Sequence, residues 1–256
     1  MKRILSKFQK IFTKKGIVNV FLSLNNFISR LNKKIHYKNM LSQKTNKERF
    51  SEIYRKNIWQ SNESGSGKGS EVLYTENLRN WLLEILPKYK VEKFVDAACG
   101  DFNWMRLVIP KLDIKYEGID IVDKVIEENN LKHSNNKINF LTKDICKDPL
   151  PNCDMLMIRD CLFHLSFSDI NNLLKNLKKT DYKFLLTTTH ILEGNHNNKD
   201  IISGDFRLIN IFSEPFNFKQ NRILDRCQDS ILNFAPREMV LISKEDIPEN
   251  LSFRSN

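Results

Sequence analysis

Short apolar runs alternate with stretches of helical periodicity from residue 91 onward. The strand-like runs, rich in β-branched and aromatic residues, are residues 93–97, 116–121, 138–141, 155–158, 184–188, 218–224 and 238–242. The helix-like stretches between them are residues 103–108, 122–130 and 168–177. Two parallel strands need a crossover between them, usually a helix, so the alternation predicts an α/β fold built on a mainly parallel sheet.

Two features precede this alternating region. Residues 60–70 are rich in Gly and Ser, a composition that favours a flexible loop. A helix is predicted after the loop, because apolar residues recur there at helical spacing, and Pro87 is expected to end it. Its apolar positions are Leu78, Trp81, Leu82, Ile85 and Leu86.

The beginning of the chain differs in charge from the rest. The formal net charge is +10, and residues 1–50 alone carry +12, from thirteen Lys or Arg and one acid. Residues 51–256 therefore carry −2, which is ordinary for a folded domain and argues against a core that binds nucleic acid. We predict a basic amphipathic helical extension over residues 1–46 and a single domain over residues 47–256.

Apolar residues recur at helical spacing within the extension, from Ile4 to Phe12 and from Val18 to Ile35, and lysines fill the other face. A basic amphipathic helix of this kind is typical of contact with an anionic membrane surface or with a partner protein. The alternative is that the extension packs on the domain or on a second copy of the chain. Both interpretations stay open from sequence alone.

No run of about 20 apolar residues, the length of a membrane-spanning helix, is present. Early lysines also interrupt any signal-peptide core. The five cysteines lack CxxC spacing and an accompanying His pair at zinc-ligand distance, so no metal site is predicted. We therefore expect reduced thiols in a cytoplasmic protein, located at the inner face of the membrane if the extension binds lipid.

The most informative motif follows the first predicted strand. Asp96 ends that strand, and small residues such as Ala98 and Gly100 follow it, so a ligand can approach the backbone. A helix is expected to open there, with N-terminal amides that would bind an anionic group. Asp120 ends the second predicted strand and Asp144 follows the third. Three acids after three parallel strands meet at the edge where open α/β sheets bind ligands.

Each acid has a structural alternative. Asp96 and Gly100 fit a plain strand-to-helix turn, which also needs small residues. Asp120 would serve as the N-cap of the helix predicted over residues 122–130. Asp144 would be a solvated loop acid. We favour ligand binding, because Asp120 lies about 20 residues beyond the first motif, where nucleotide-binding α/β folds place the carboxylate that binds ribose hydroxyls.

Together Asp96, Gly100, Asp120 and Asp144 resemble the spaced motifs of the class I S-adenosylmethionine-dependent methyltransferases, and the resemblance covers residues 96–189. This resemblance implies a Rossmann-like, seven-stranded sheet with helices on both faces and an antiparallel last strand. It also implies S-adenosylmethionine as the cofactor.

The resemblance assigns roles to individual positions. Asp120 matches the acid that holds the ribose hydroxyls, and Asp144 matches the acid beside the adenine amine, with Ile145 as an apolar wall. Ala98 and Phe102 stand where the family often has glycine. The candidate cofactor-binding residues are Asp96, Ala98, Gly100, Asp120, Asp144, Ile145 and Arg159.

Residues 154–165 resemble the family's fourth strand and the loop that faces the transferred methyl group. Asp160 and His164 are the candidate catalytic bases for a hydroxyl acceptor. The alternatives are a packed, hydrogen-bonded His164, an Asp160 that binds cofactor or substrate, and an Arg159 that pairs with a neighbouring acid. Family members that methylate nucleic-acid bases or glutamine often carry Asn/Asp-Pro-Pro-aromatic here. This chain has Arg-Asp-Cys-Leu, which argues against methylation of a base or an amide and leaves hydroxyl, carboxyl or other nucleophiles as acceptors.

The wider pattern is similar to a group of bacterial methyltransferases often associated with surface-glycan or small-metabolite genes. The similar pieces include residues 59–61, 64–70, 186–189 and 204–210. This similarity implies that residues 64–70 form a cofactor lid and that the acceptor is a glycan or a small molecule. Arg207 and Asn210 lie in the long segment between the fifth and sixth strands and are the candidate substrate-binding residues.

The sequence therefore predicts a methyltransferase that acts on a hydroxyl of a small-molecule or glycan acceptor. A nicotinamide-dependent oxidoreductase would need Gly-x-Gly-x-x-Gly after the first strand, and residues 98–103 do not supply it. The other alternative is a non-catalytic binding protein that keeps the fold as a scaffold and attaches through its basic helix.

Overall fold

The computed structural model describes residues 45–252 except 193, 195 and 233, together with residues 35, 37, 39, 41 and 42. The chain divides into two compact units, residues 1–43 and 44–256. Nearly all of the predicted helical extension lies outside the described residues, and its boundary after residue 46 stays a prediction. In the described part of the chain, no helix has the length and apolar character needed to cross a membrane.

Seven strands form one sheet in the order β3-β2-β1-β4-β5-β7-β6. Strands β1 to β5 are parallel, and β7 is antiparallel to both of its neighbours. This confirms the predicted α/β class and the antiparallel last strand. The strands are β1 Lys93–Ala97, β2 Lys115–Asp120, β3 Ile138–Thr142, β4 Met155–Ile158, β5 Phe184–His190, β6 Ile223–Gln228 and β7 Arg237–Ser243.

Four α-helices are described in the same unit: α1 Asn46–Arg55, α2 Glu76–Lys88, α3 Asp123–His133 and α4 Phe167–Lys179. Thr45 and Glu48 form a capping box that starts α1, and Ser166 caps α4 by accepting a hydrogen bond from the amide of Asp169. Such caps stabilise a helix by about 1 kcal/mol each. Helix α2 runs one residue past Pro87, the residue predicted to end it.

The sheet separates two apolar cores. Val95 and Ala97 of β1 face the core that contains the buried side of α4, whereas Phe94 faces the core that contains the buried sides of α2 and α3. Strand β4 is buried at every position. Such double burial explains why the central strands appear in the sequence as continuous apolar runs.

The helix predicted over residues 103–108 is absent. Two short 3₁₀ turns, Met105–Leu107 and Ile109–Lys111, occupy this segment instead. Phe102, with a φ of 57°, lies outside right-handed helical backbone just before this segment, and Pro110 lacks the N–H that a longer helix would need there. The expectation that a helix N-terminus binds an anion after β1 is therefore wrong.

The sixth strand was predicted five residues too early. Residues 220–222 form a 3₁₀ turn and β6 begins at Ile223. Phe218, one of the apolar residues on which the predicted strand depends, lies before β6 in the chain and is buried in the core. Strand β6 lies at the edge of the sheet with alternating exposure, so it lacks the apolar run that marks the central strands.

Candidate active site

A cavity of about 350 Å³ opens at the carboxyl ends of the parallel strands. It lies where the chain order reverses between β1 and β4, the usual ligand position in open α/β sheets. Its volume is in the range of small-molecule sites. The predicted residues that line it are Asp96, Ala98, Gly100, Asp120, Asp144, Ile145, Arg159, Asp160 and His164.

Asp96, at the end of β1, is almost completely buried, with 3% of its surface exposed. The Tyr116 hydroxyl donates a hydrogen bond of 2.9 Å to its carboxylate. Burial raises the pKa of Asp96 to about 7, because desolvation outweighs the stabilising effect of that bond. Near neutral pH this acid can therefore hold or release a proton at the cavity wall.

The turn after β1 brings backbone, rather than side chains, to the cavity. Ala98, Gly100 and Phe102 all have positive φ angles, of 74°, 59° and 57°. The amides of Ala98 and Cys99 both donate to the carbonyl of Ile119, at 2.7 and 2.8 Å. A Cβ on Gly100 would overlap Ser66 Oγ in the Gly/Ser-rich loop. Glycine is therefore needed at position 100 for both its conformation and its lack of a side chain.

The carboxylate of Asp120 closes this turn from the end of β2. One oxygen accepts from the amide of Gly100 at 3.1 Å, and the other accepts from the amide of Val122 at 3.0 Å. Helix α3 begins at Asp123 with Val122 in the N-cap position, so the N-cap interpretation of Asp120 is wrong. Burial raises the pKa of Asp120, although the two amides partly oppose that effect.

Asp144 follows β3 and forms the next part of the wall. Its carboxylate accepts from the amide of Cys146 at 3.0 Å and pairs with Lys147 at 3.2 Å. Only 15% of its side chain is exposed, so Asp144 is not a solvated loop acid. Ile145 is buried beside it and lines the same cavity.

The Gly/Ser-rich loop is held against the turn after β1 by one carboxylate. Asp101 accepts hydrogen bonds from Ser64 Oγ at 2.9 and 3.0 Å and from the Gly65 amide at 2.9 Å. Ser66 Oγ in turn accepts from the amide of Asp101 at 3.0 Å. Residues 66–70 line the cavity. The loop predicted to be flexible is thus attached at one edge of the site.

Two arginines and two aspartates form a buried network below this loop. Arg159 donates two bonds of 2.9 Å to Asp229 and a third to the carbonyl of Gly69. Arg237 of β7 lies 2.9 Å from Asp160 and donates to the Asp229 carbonyl at 2.7 Å. The expected pairing of Arg159 with a neighbouring acid is thus observed with Asp160 at 3.5 Å, and the bidentate bonds go to the distant Asp229.

Asp160 has a positive φ of 51°, an unusual conformation for a residue with a Cβ. Its amide donates to Thr188 Oγ1 at 2.9 Å. Burial tends to raise the pKa of Asp160, but the guanidinium groups of Arg159 and Arg237 outweigh it and hold that pKa below its ordinary value. Asp160 is therefore an ionised, strongly paired carboxylate.

His164 lies on a 3₁₀ turn after β4, and its Nδ1 is 2.8 Å from the carbonyl oxygen of Asp205. Since a carbonyl can only accept, Nδ1 carries the proton and Nε2 keeps its lone pair. Burial lowers the pKa of His164, so the ring is neutral at pH 7. Trp59 and Phe206 lie beside it, with ring centroids at 5.3 and 5.8 Å.

Arg207 and Asn210 are not among the described residues that line this cavity. The guanidinium of Arg207 stacks on Phe167 and donates to the Leu162 carbonyl at 3.2 Å, and burial lowers the pKa of Arg207 to about 10. The backbone of Asn210 exchanges two hydrogen bonds with the side chain of Asn198. In this structure both residues hold the loop after β5.

Several lining residues carried no assigned role in the sequence analysis. Asn46, Phe50 and Tyr54 come from α1, and only their helical spacing could have indicated a buried face. Phe206 lies one residue before Arg207, a predicted substrate residue. The contact between Arg159 and Asp229 could not be predicted, because no local sequence pattern indicates it. The remaining lining residues without an assigned role include Phe234 and Arg237.

No family model and no curated protein matches this chain. Solved structures do match its fold. A SAM-dependent methyltransferase from Leishmania major is 12% identical, with a TM-score of 0.56, and the match covers 82% of this chain and 90% of that chain. Magnesium protoporphyrin IX methyltransferase from Synechocystis PCC 6803, solved with bound SAM, is 13% identical, with a TM-score of 0.55, covering 79% and 98%.

The methyltransferase domain of bacterial CtHen1 is a third match, 13% identical with a TM-score of 0.51, and it covers 66% of this chain and 98% of that domain. At identities this low the likeness concerns the fold. The chain therefore has the Rossmann-like fold of S-adenosylmethionine-dependent methyltransferases, with the described cavity at the carboxyl edge of its sheet.

Proposed function

We propose that this protein transfers a methyl group from S-adenosylmethionine to a hydroxyl of a small-molecule or glycan acceptor. The observation that carries the proposal is the convergence of residues from four successive strand ends on one cavity. Asp96, Asp120 and Asp144 follow or end β1 to β3, and His164 follows β4. The fold shared with solved methyltransferases supports the same function.

The residues at the first three strand ends fit the chemistry of this cofactor. Backbone amides fix the carboxylate of Asp120 at the cavity wall, where it would accept the ribose hydroxyls. Asp144 and Ile145 would contact the adenine, one as an acceptor and one as an apolar surface. Ala98 and Gly100 line the cavity with little or no side chain, so the methionine part would lie against this turn.

The bound cofactor would supply a methyl group on an activated sulfonium. The protein's own contribution is alignment, exclusion of water and acceptance of a proton. His164 is the better candidate base, because it is neutral and its Nε2 carries a lone pair. Asp160 is the weaker candidate, since two arginines stabilise its ionised form. Arg159 would support cofactor binding indirectly, through its contacts with Asp160 and with Gly69 of the Gly/Ser-rich loop.

A calorimetric titration with S-adenosylmethionine, and a parallel one with NAD, tests this function. We expect saturable binding of the methyl donor and none of the dinucleotide. Methyl transfer to an acceptor, followed with an isotopically labelled methyl group, then distinguishes an enzyme from a scaffold that only binds. Absence of S-adenosylmethionine binding by the folded protein would contradict the proposal.

The proposal includes a cytoplasmic location and contact of the basic extension with anionic lipid. The support is the charge of +12 within residues 1–50. The full chain should sediment with vesicles that contain phosphatidylserine and should detach as salt rises. A chain beginning at Lys44 should remain in solution and still bind the methyl donor. That start retains Thr45, which caps α1, and Asn46, which lines the cavity.

A further inference from the structure

Aromatic rings form one wall of the cavity around the candidate base. Trp59 and Phe163 lie within 5.3 and 4.6 Å of the His164 ring, centroid to centroid, and Phe206 contacts both His164 and Phe163. Phe206 and Phe234, which also line the cavity, are 51% and 58% exposed. Phenylalanine left in water at a cavity rim is unfavourable, and a bound apolar surface would relieve that cost.

Asp160 and Arg159, the charged side chains that follow β4 beside this wall, already have partners. Asp160 pairs with Arg237 at 2.9 Å and accepts from Thr188 at 3.2 Å. Arg159 donates to Asp229 and to the carbonyl of Gly69. A sugar ring would bring several hydroxyl groups, each of which loses water on binding and needs a new partner. A flat apolar ring with one hydroxyl needs only one such hydrogen-bond partner.

The strength of the base points to the same class of acceptor. Burial lowers the pKa of His164, so its neutral ring is a weaker base than an ordinary imidazole. An aromatic hydroxyl has a pKa of about 10, whereas an aliphatic hydroxyl lies closer to the value of about 15.7 for water. Proton transfer to a weak base is effective only when the acid is comparatively strong. His164 therefore suits an aromatic hydroxyl.

We propose that the methyl acceptor is a phenol, an aromatic ring that carries a hydroxyl group, and that it stacks on the rings of Trp59 and Phe206 with its hydroxyl directed at the edge of the His164 ring. This inference rests on the proposed methyltransferase function. The phenol oxygen forms the new bond to the methyl carbon as the carbon–sulfur bond breaks, and that bonding pair stays on sulfur. The phenol proton passes to Nε2 of His164 and from there to solvent.

The test compares two probes on the full chain saturated with S-adenosylhomocysteine, the demethylated product of the donor. Calorimetry should show that 2-naphthol binds about tenfold tighter than methyl α-D-glucopyranoside, because only the naphthol presents a flat ring to the wall. Phe206→Leu should weaken naphthol binding by about five- to tenfold. Leu131→Ala, which changes an 87% exposed apolar residue of α3 outside the cavity wall, should leave binding unchanged.

Tighter binding of the glucoside, or unchanged naphthol affinity in folded Phe206→Leu, would overturn the phenol assignment while leaving methyl transfer intact. Trp59→Leu, which removes the other stacking ring of the wall, gives the same test if Phe206→Leu does not fold. Failure of the protein to bind S-adenosylhomocysteine at all would instead remove the proposed function and the phenol assignment with it. Transfer of a labelled methyl group to naphthol in preference to the glucoside is the matching activity measurement.

Discussion

Nδ1 of His164 donates its proton to the carbonyl oxygen of Asp205, 2.8 Å away. This single bond fixes the tautomer of a buried imidazole, because the carbonyl cannot donate in return. The ring is left with an unprotonated Nε2 in a cavity whose other strand ends carry acids. A base role for His164 and a packing role thus predict different behaviour when the ring is removed.

His164→Ala should lose about 10²- to 10⁴-fold in turnover, the usual contribution of a positioned base, while cofactor affinity stays within a factor of two or so. Burial lowers the pKa of His164 below the ordinary value of about 6.5. As pH decreases, wild-type turnover should therefore stay constant past pH 6.5 and should decrease only at the lower pH at which the ring becomes protonated. Turnover, melting temperature and a calorimetric affinity on one preparation provide the check. Reduced melting temperature with normal turnover per folded molecule would mean that His164 only packs.

Asp160→Asn is the matched variant for this test. It removes the charge that pairs with Arg237 but keeps an oxygen for Thr188. If Asp160 were the base, Asp160→Asn would lose turnover and His164→Ala would not. We expect Asp160→Asn to affect stability more than the pH profile of turnover.

Asp120→Asn should weaken S-adenosylmethionine binding by about tenfold or more, because charge-assisted bonds to two ribose hydroxyls contribute about 1.5–3 kcal/mol each. The amide oxygen can still accept from Val122 or Gly100, so the fold should survive. Asp123→Asn, an exposed acid three residues along the chain, is the control and should bind like wild type. Equal affinities for the two variants would remove Asp120 from the cofactor site.

Asp229→Ala should destabilise the protein by about 3–5 kcal/mol, because it leaves the buried guanidinium of Arg159 without its main partner. Urea denaturation measures the free energy of unfolding. Asp225→Ala removes a more exposed pair with Lys88 and should cost no more than about 1 kcal/mol. Similar losses in the two variants would show that the buried network contributes little to stability.

Asp96→Asn should flatten the dependence of stability on pH. Burial raises the pKa of Asp96 from 3.8 to about 7, so the folded state keeps a proton that the unfolded state releases. The associated stability is present below pH 4 and is lost as pH rises through 7, an effect of up to about 4 kcal/mol. Melting curves from pH 5 to 8 should show this fall in wild type and in the control Asp181→Asn, which changes an exposed acid. A fall of the same size in Asp96→Asn would exclude Asp96 as its source.

Asp101→Ala should release the Gly/Ser-rich loop without unfolding the sheet. It removes the acceptor for Ser64 Oγ and for the Gly65 amide, so amide exchange at Gly65 should rise about tenfold or more. Cofactor affinity should fall as well if this loop is a lid. Asp113→Ala, which removes a 92% exposed carboxylate, should change neither measurement.

The strands β1 and β4 could be predicted to the residue, because almost all of their positions are buried and β4 appears as a continuous apolar run. The convergence of Asp96, Asp120 and Asp144 followed from strand order alone, since parallel strands end at one edge. The spacing of residues in the sequence predicts which of them lie close together wherever the chain between two strands is regular.

The rest of the site depends on contacts that have no local pattern. Arg159 and Asp229 are 70 residues apart, and nothing near either residue marks the other. The turn after β1 was predicted to open a helix, but Pro110 and the positive φ of Phe102 impose 3₁₀ turns. Arg207 was chosen for its position in a long loop, yet its guanidinium packs on Phe167.

The guanidinium of Arg159 contacts the carbonyl of Gly69 on one side and the carboxylate of Asp229 on the other. During synthesis Gly69 and Arg159 leave the ribosome well before Asp229 does. Until Asp229 arrives, Arg159 has only the longer contact of 3.5 Å with Asp160 and lacks its two bonds of 2.9 Å to a buried carboxylate. Asp96, Asp120 and Asp144 can thus be in place at the edge of the sheet before the contact between Arg159 and Gly69 is stabilised. The buried network that holds Arg159 against Gly69 is therefore complete only after the segment between β6 and β7 has been made.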